Sequence, residues 1–135
     1  MNIEDIKSEK DIYLFIGARF EWFKDFLNKI FKTMGLQFYG SEVRLRGEYF
    51  RRGYYTGGGY VDLMYVNEEM VIPIELKYTG DVHGYGQLEK YMELIKKSTK
   101  RKVCGVLICK KATKSLKEVD DGNIMFIELE TGRCW

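Results

Sequence analysis

The stretch that decides the fold runs Tyr60-Val61-Asp62-Leu63-Met64-Tyr65-Val66, Asn67-Glu68-Glu69-Met70, Val71-Ile72-Pro73-Ile74-Glu75-Leu76-Lys77-Tyr78. Two runs rich in β-branched and aromatic residues flank a short polar connector, the pattern of a β-hairpin. With Glu68 and Glu69 at the tip, paired residues carry numbers adding to 137: 66 faces 71, 64 faces 73, and Asp62 faces Glu75. Directly opposed residues hold their Cβ atoms roughly 5 Å apart on one face. Lys77, two residues past Glu75, points to that face too. The other face carries Val61, Leu63 and Tyr65 against Ile72, Ile74 and Leu76, a core layer. Pro73 is the awkward residue, because it removes a ladder donor from a strand placed near the sheet centre. Either a bulge lies there or the register slips by one, which would part Asp62 from Glu75.

Outward from the hairpin, residues 1–10 are polar and read as a frayed segment or a helix start. From Asp11 to Met34 apolar residues recur at 12, 16, 20, 23, 27, 30 and 34, which predicts a helix that Gly35 stops. Leu36 to Tyr55 reads as extended. After the hairpin, Gly80–Gly86 reads as a loop and Gln87–Lys97 as a helix with Leu88, Tyr91, Met92 and Ile95 on one side. Val103–Cys109 reads as a buried strand, Ala112–Val119 as a short helix and Ile124–Leu129 as a last strand. The order predicts an α/β fold, a central mixed sheet flanked by helices, in a single domain over residues 1–135.

Two carboxylates and one ammonium thus converge on one sheet face. At about 4 Å the carboxylates repel by roughly 1–4 kcal/mol, depending on the local dielectric. A divalent cation resolves this, since Mg²⁺ prefers one or two carboxylates completed by water and phosphate oxygens. Such an ion polarises a phosphate and lowers the pKa of a bound water. Lys77 can then orient or deprotonate that water, or neutralise charge developing on phosphorus. The plain alternative is a surface ion pair between Glu75 and Lys77.

Gly59-Tyr60-Val61-Asp62, Glu75-Leu76-Lys77 and Gln87-Leu88-Glu89-Lys90-Tyr91 resemble the GxxD, (D/E)XK and QhXXY series of RecB-like nucleases in the PD-(D/E)XK superfamily. Within it, Gly59 to Glu130 most resembles the catalytic domain of archaeal NucS-type (EndoMS) endonucleases. The resemblance implies a restriction-endonuclease-like core and hydrolysis of DNA phosphodiester bonds with Mg²⁺ or Mn²⁺. It implies that Asp62, Glu75 and the Leu76 carbonyl hold the metal, that Lys77 serves the attacking water, and that Gln87 and Tyr91 support the site or the phosphate. A homodimer, or a protein partner that supplies substrate specificity, is also implied. Val61 stands where the superfamily name has Pro. Many relatives carry an acid on the first helix; Glu21 is the obvious candidate, but it lies opposite the apolar stripe and is left unassigned. The competing reading is a non-catalytic nucleic-acid-binding or partner-recruiting module that retains the nuclease fold.

The remaining signals are local. Arg44, Arg46, Arg51 and Arg52, interleaved with Tyr49, Tyr54 and Tyr55, pair cations for phosphates with rings for bases, though a solvated hairpin reads the same way. Tyr91 lies on the apolar side of its helix and reads equally as core. The net charge of +2 over 135 residues says little about partners, although a dedicated DNA-coating protein is usually far more basic. Three cysteines without a CxxC argue against a zinc ribbon and for a reducing, cytoplasmic setting. Cys104 and Cys109 share a strand and face oppositely, so they should not pair. No apolar run approaches the length of a membrane span.

Overall fold

A computed structural model describes residues 1–45 and 60–135. Its helices are α1 (Glu9–Gly17), α2 (Phe20–Ile30), α3 (Val82–Lys96) and α4 (Lys114–Lys117). Its strands are β1 (Gln37–Arg44), β2 (Tyr60–Val66), β3 (Met70–Gly80), β4 (Lys102–Val103), β5 (Gly105–Ala112), β6 (Ile124–Glu128) and β7 (Arg133–Cys134). Among the described residues these strands form one mixed sheet in the order β1-β2-β3-β5-β6-β7, with β4 also on β3. The α/β class with helices on both faces is as expected.

Each sheet face has its own apolar layer. Leu63, Tyr65, Ile72, Ile74 and Leu76 join Ile12 and Ile16 of α1 and Phe23 and Leu27 of α2. On the other face Met64, Val71 and Leu107 join Leu88, Tyr91, Met92 and Ile95 of α3. Cys104 falls in the first layer and Cys109 in the second, and all three cysteines are free thiols. Among the described residues no helix is long and apolar enough to cross a membrane.

The hairpin register is the expected one: Leu63 pairs Ile74, Met64 pairs Pro73, Tyr65 pairs Ile72 and Val66 pairs Val71. Pro73 fits without a slip, and the ladder explains why. Asn67 N–H donates to the Met70 carbonyl at 3.0 Å, so by strict alternation Met64 and Pro73 form a non-hydrogen-bonded pair. The N–H that proline lacks would therefore point away from β2, toward the seam between β4 and β5. There Cys104 N–H donates to the Val71 carbonyl, and the parallel pairing resumes only at Ile74 with Val106. The sheet is interrupted where its donor is missing.

Four expectations are corrected. The helix expected over Asp11–Met34 is two helices: Gly17 weakens the turn, and the Arg19 guanidinium donates to the carbonyls of Phe15 (3.1 Å) and Met1 (3.0 Å) at the break. The second helix stops at Ile30, because Lys32 (φ 50°) and Gly35 (φ 74°) are left-handed. Of the two readings of the first ten residues, the helix start holds, since α1 begins at Glu9, and fraying does not: Ile6 is fully buried and its carbonyl accepts from Lys110 Nζ at 2.8 Å. The loop expected at Gly80–Gly86 is mostly the start of α3, since Asp81 Oδ1 accepts from Gly84 N–H at 2.9 Å and caps the helix despite the glycines. Val61 lies in the second layer rather than with Leu63 and Tyr65, because the pairing of β2 to β3 stops at Leu63.

Gly80 closes β3 where β5 and α4 crowd it. A Cβ there would stand 2.7 Å from Cys109 Sγ and 2.9 Å from Leu116 Cδ2, both fully buried. Gly80→Ala should cost on the order of 1–3 kcal/mol in urea unfolding. Gly86→Ala, whose Cβ meets open space inside α3, should instead gain about 0.5–1 kcal/mol.

Candidate active site

The site begins where the hairpin opens. The ladder between β2 and β3 ends at Leu63 and Ile74. The next hydrogen-bonded step in that register would join Leu76 N–H to Val61, but Leu76 N–H donates to Asp62 Oδ2 at 2.7 Å instead. A side chain has replaced a strand carbonyl, so Asp62 is anchored to β3 at the point where the two strands part. Glu75 is the neighbour that this anchoring brings close.

Burial makes the pair costly. Glu75 is 4% exposed, and its Oε1 has no hydrogen-bond partner among the described residues. Desolvation first and the Asp62 charge second push its carboxyl up to about 8, against the weaker pull of Lys77 and the Asp62 N–H. Asp62 is raised too, by desolvation above all, with the Leu76 N–H opposing and Glu9 and Glu42 adding repulsion. Lys77 is half-buried against the first turn of α3, where a Cβ on Gly84 would lie 3.4 Å from its Cγ.

A cleft of about 520 Å³ opens beside the pair, lined by Glu9, Lys10 and Tyr13 of α1, Ser41 and Glu42 of β1, and Asp62 and Leu76. Glu9 was missed in the sequence. Glu21 instead sits on α2 with its carboxylate 3.3 Å from Lys24 Nζ and does not line the cleft. The usable signal was Ser8, whose Oγ accepts from Asp11 N–H at 3.3 Å and starts α1 early enough to put Glu9 in its first turn.

The other expected residues divide. Gln87 is half-buried on α3, and its Oε1 has no partner among the described residues. Tyr91 is 1% exposed within the second apolar layer. Arg44 is exposed, with its guanidinium 6.0 Å from the Tyr60 ring centre. It borders a separate depression of about 390 Å³ with Tyr39 and Arg101, not the cleft at Asp62. Arg46, Arg51 and Arg52, with Tyr49, Tyr54, Tyr55 and Gly59, lie outside the described residues.

The donor set suits a hard divalent cation. Among the described residues no group of three or more His, Cys, Asp or Glu gathers as a metal cluster. An ion would have Asp62, Glu75 and a backbone oxygen, completed by water and phosphate, which is a coordination habit of Mg²⁺. The orphaned Glu75 oxygen and the proton affinity of both carboxylates are what such an ion would relieve.

Residues 43–134 match the family described as Endonuclease NucS C-terminal domain. The chain belongs to that family. Among solved structures it is similar to a crystal structure of a repair endonuclease from Pyrococcus abyssi, with a TM-score of 0.60 and 22% identity. That match covers 92% of this chain and 47% of the other, so the chain spans about half the length of that enzyme. A structure of an EndoMS–dsDNA2 complex matches with a TM-score of 0.48 and 20% identity over 70% of this chain and 37% of the other. No curated protein matches. The repair endonuclease shares the fold; this NucS family membership rests on the sequence match.

The raised Glu75 carboxyl has a consequence for stability. Its folded-state pKa (about 8) lies above the ordinary 4.5, so the folded protein binds the extra proton between those values. Stability of the metal-free protein should therefore fall as pH rises from about 5 to 8, by up to about 1.4 kcal/mol per pH unit. Glu75→Gln should flatten that slope and stabilise the metal-free protein at pH 8. Urea midpoints across pH in chelator check both.

Proposed function

We propose that the chain is a Mg²⁺- or Mn²⁺-dependent deoxyribonuclease that hydrolyses DNA phosphodiester bonds at Asp62, Glu75 and Lys77. The observation that carries this reading is the carboxylate pair: Glu75 buried and Asp62 half-buried, both raised in pKa by desolvation above all, with Asp62 anchored by the Leu76 N–H, within a family of endonuclease domains. A buried glutamate held beside a half-buried aspartate, whose charge opposes its ionisation, serves no evident packing need.

In this reading Asp62, Glu75 and the Leu76 carbonyl hold the cation, which when bound would polarise the scissile phosphate and acidify a water. The Lys77 ammonium offers a hydrogen bond to the attacking water, and a charge to the phosphoryl oxygens as negative charge grows on them. The Lys77 stem lies beside the first turn of α3, where a Cβ on Gly84 would touch its Cγ. Gln87 supports the site or the phosphate: its buried Oε1, with no partner among the described residues, can accept from a water, and its amide N–H groups can donate to a phosphate oxygen. Tyr91 fixes α3 from within the core. DNA is the partner, gripped in part by exposed cations such as Arg44, and a homodimer or a protein partner would supply the rest of the specificity. Three free thiols support a reducing, cytoplasmic setting.

A panel of single-stranded, duplex, mismatched, flapped and branched DNA, with RNA controls, tests the proposal in Mg²⁺, Mn²⁺ or chelator. Cutting should need the metal, and Asp62→Asn, Glu75→Ala and Lys77→Ala should each slow it at least about 100-fold. Nucleic-acid binding without any cutting, unchanged in all three variants, would instead favour a non-catalytic module.

A further inference from the structure

The cleft beside Asp62 has one wall that the hydrolytic set does not use. Lys10 and Tyr13 stand three residues apart on α1, the spacing that places two side chains on one helix face. Both are exposed, Tyr13 by 42%, and neither has an ion pair, hydrogen bond or ring contact among the described residues. Other α1 residues are used internally: Ile12 and Ile16 are buried, and Asp11 accepts from Lys7 N–H at 2.8 Å. A bare tyrosine ring and an unpaired ammonium, side by side at the mouth of a cleft with a catalytic floor, are the two elements that hold single-stranded nucleic acid.

The β1 residues that line the same cleft bear on which way round a nucleotide enters. Ser41 and Glu42 of β1 face the cleft, and Glu42 is held with a left-handed backbone (φ 48°). A carboxylate there repels a phosphate but accepts a hydrogen bond from an exocyclic amino group, as it would from a cytosine edge. The volume of about 520 Å³ lies within the range of small-ligand sites.

We propose that Lys10 and Tyr13 form a nucleotide-holding pair beside the reaction centre: Tyr13 stacks on an unpaired base while Lys10 takes a flanking phosphate. The base edge then faces Ser41 and Glu42. This rests on the nuclease reading for its floor, but the pair binds by itself and can be measured apart from cleavage. A base within a duplex offers no free face to Tyr13, so the pair selects strands that are single or frayed at that nucleotide.

The test is fluorescence-anisotropy binding of the full chain to labelled single-stranded and blunt duplex DNA in Ca²⁺, with strand integrity checked on a gel. Tyr13→Ala should weaken single-strand binding about tenfold and Tyr13→Phe less than about twofold. Lys10→Ala should weaken it and lower the salt slope by about 0.7. Duplex binding should not respond to Tyr13→Ala. Single-strand binding unchanged in Tyr13→Ala, or an equal loss on duplex, overturns the proposal. The two readings fail separately. Metal-dependent cleavage with no effect of Tyr13 on binding removes the nucleotide-holding pair and keeps the nuclease; Tyr13-dependent binding without any cleavage does the reverse.

Discussion

The hydrogen bond from Leu76 N–H to Asp62 Oδ2 is the contact on which the site depends. In an uninterrupted hairpin that donor belongs to the neighbouring strand's carbonyl, and the two strands stay zipped. Here a side chain satisfies it, so β2 is free to leave β3 without orphaning a buried backbone group. The parting makes the cleft, brings Asp62 beside Glu75 and sends Val61 into the other apolar layer. Farther from the opening, the parallel ladder between β5 and β6 runs without a shift from Gly105 to Cys109.

The same opening sets the electrostatics. Glu75 is buried on a strand that lies between β2 and β5, so water cannot reach its Oε1. Like charges at Asp62 and Glu9 then add to desolvation, and the single ammonium of Lys77 does not offset them. Contrast Glu128, which is 2% exposed yet has a lowered pKa: burial opposes this, but Thr131, the Ala112 N–H and Lys117 outweigh it. Two buried glutamates in one sheet thus differ because one is surrounded by donors and the other by acids. Glu128 finds its donors within the fold, whereas the Oε1 of Glu75 finds none among the described residues.

Much of this was legible in the chain because strand pairing obeys arithmetic. A two-residue period and a polar tip were enough to set Asp62 opposite Glu75, and the observed pairs follow that register. The apolar runs at Val103–Cys109 and Ile124–Leu129 announced buried strands, because parallel strands covered on both faces need no alternation. Helix limits were less legible. The stripe from Ile12 to Met34 has one period but contains two helices, since a break at Arg19 depends on hydrogen bonds to Phe15 and Met1 that no spacing encodes. Glycine counts at Gly80–Gly86 hid an aspartate cap, whose effect is local but was outvoted by composition.

What the sequence by itself determined is whatever follows from period and chemistry along one strand: the hairpin register and the opposite faces of Cys104 and Cys109. What only the tertiary structure decided is what depends on separate segments meeting in space. Glu9, Lys10 and Tyr13 share a cleft with Asp62 although about fifty residues lie between them, because α1 packs across β3. Arg44 stands apart from that cleft even though it is nearer to Asp62 in the chain. The Pro73 puzzle ended the same way: its missing donor is tolerated because a seam between two other strands falls opposite it, and the position of a seam is a property of the assembled sheet.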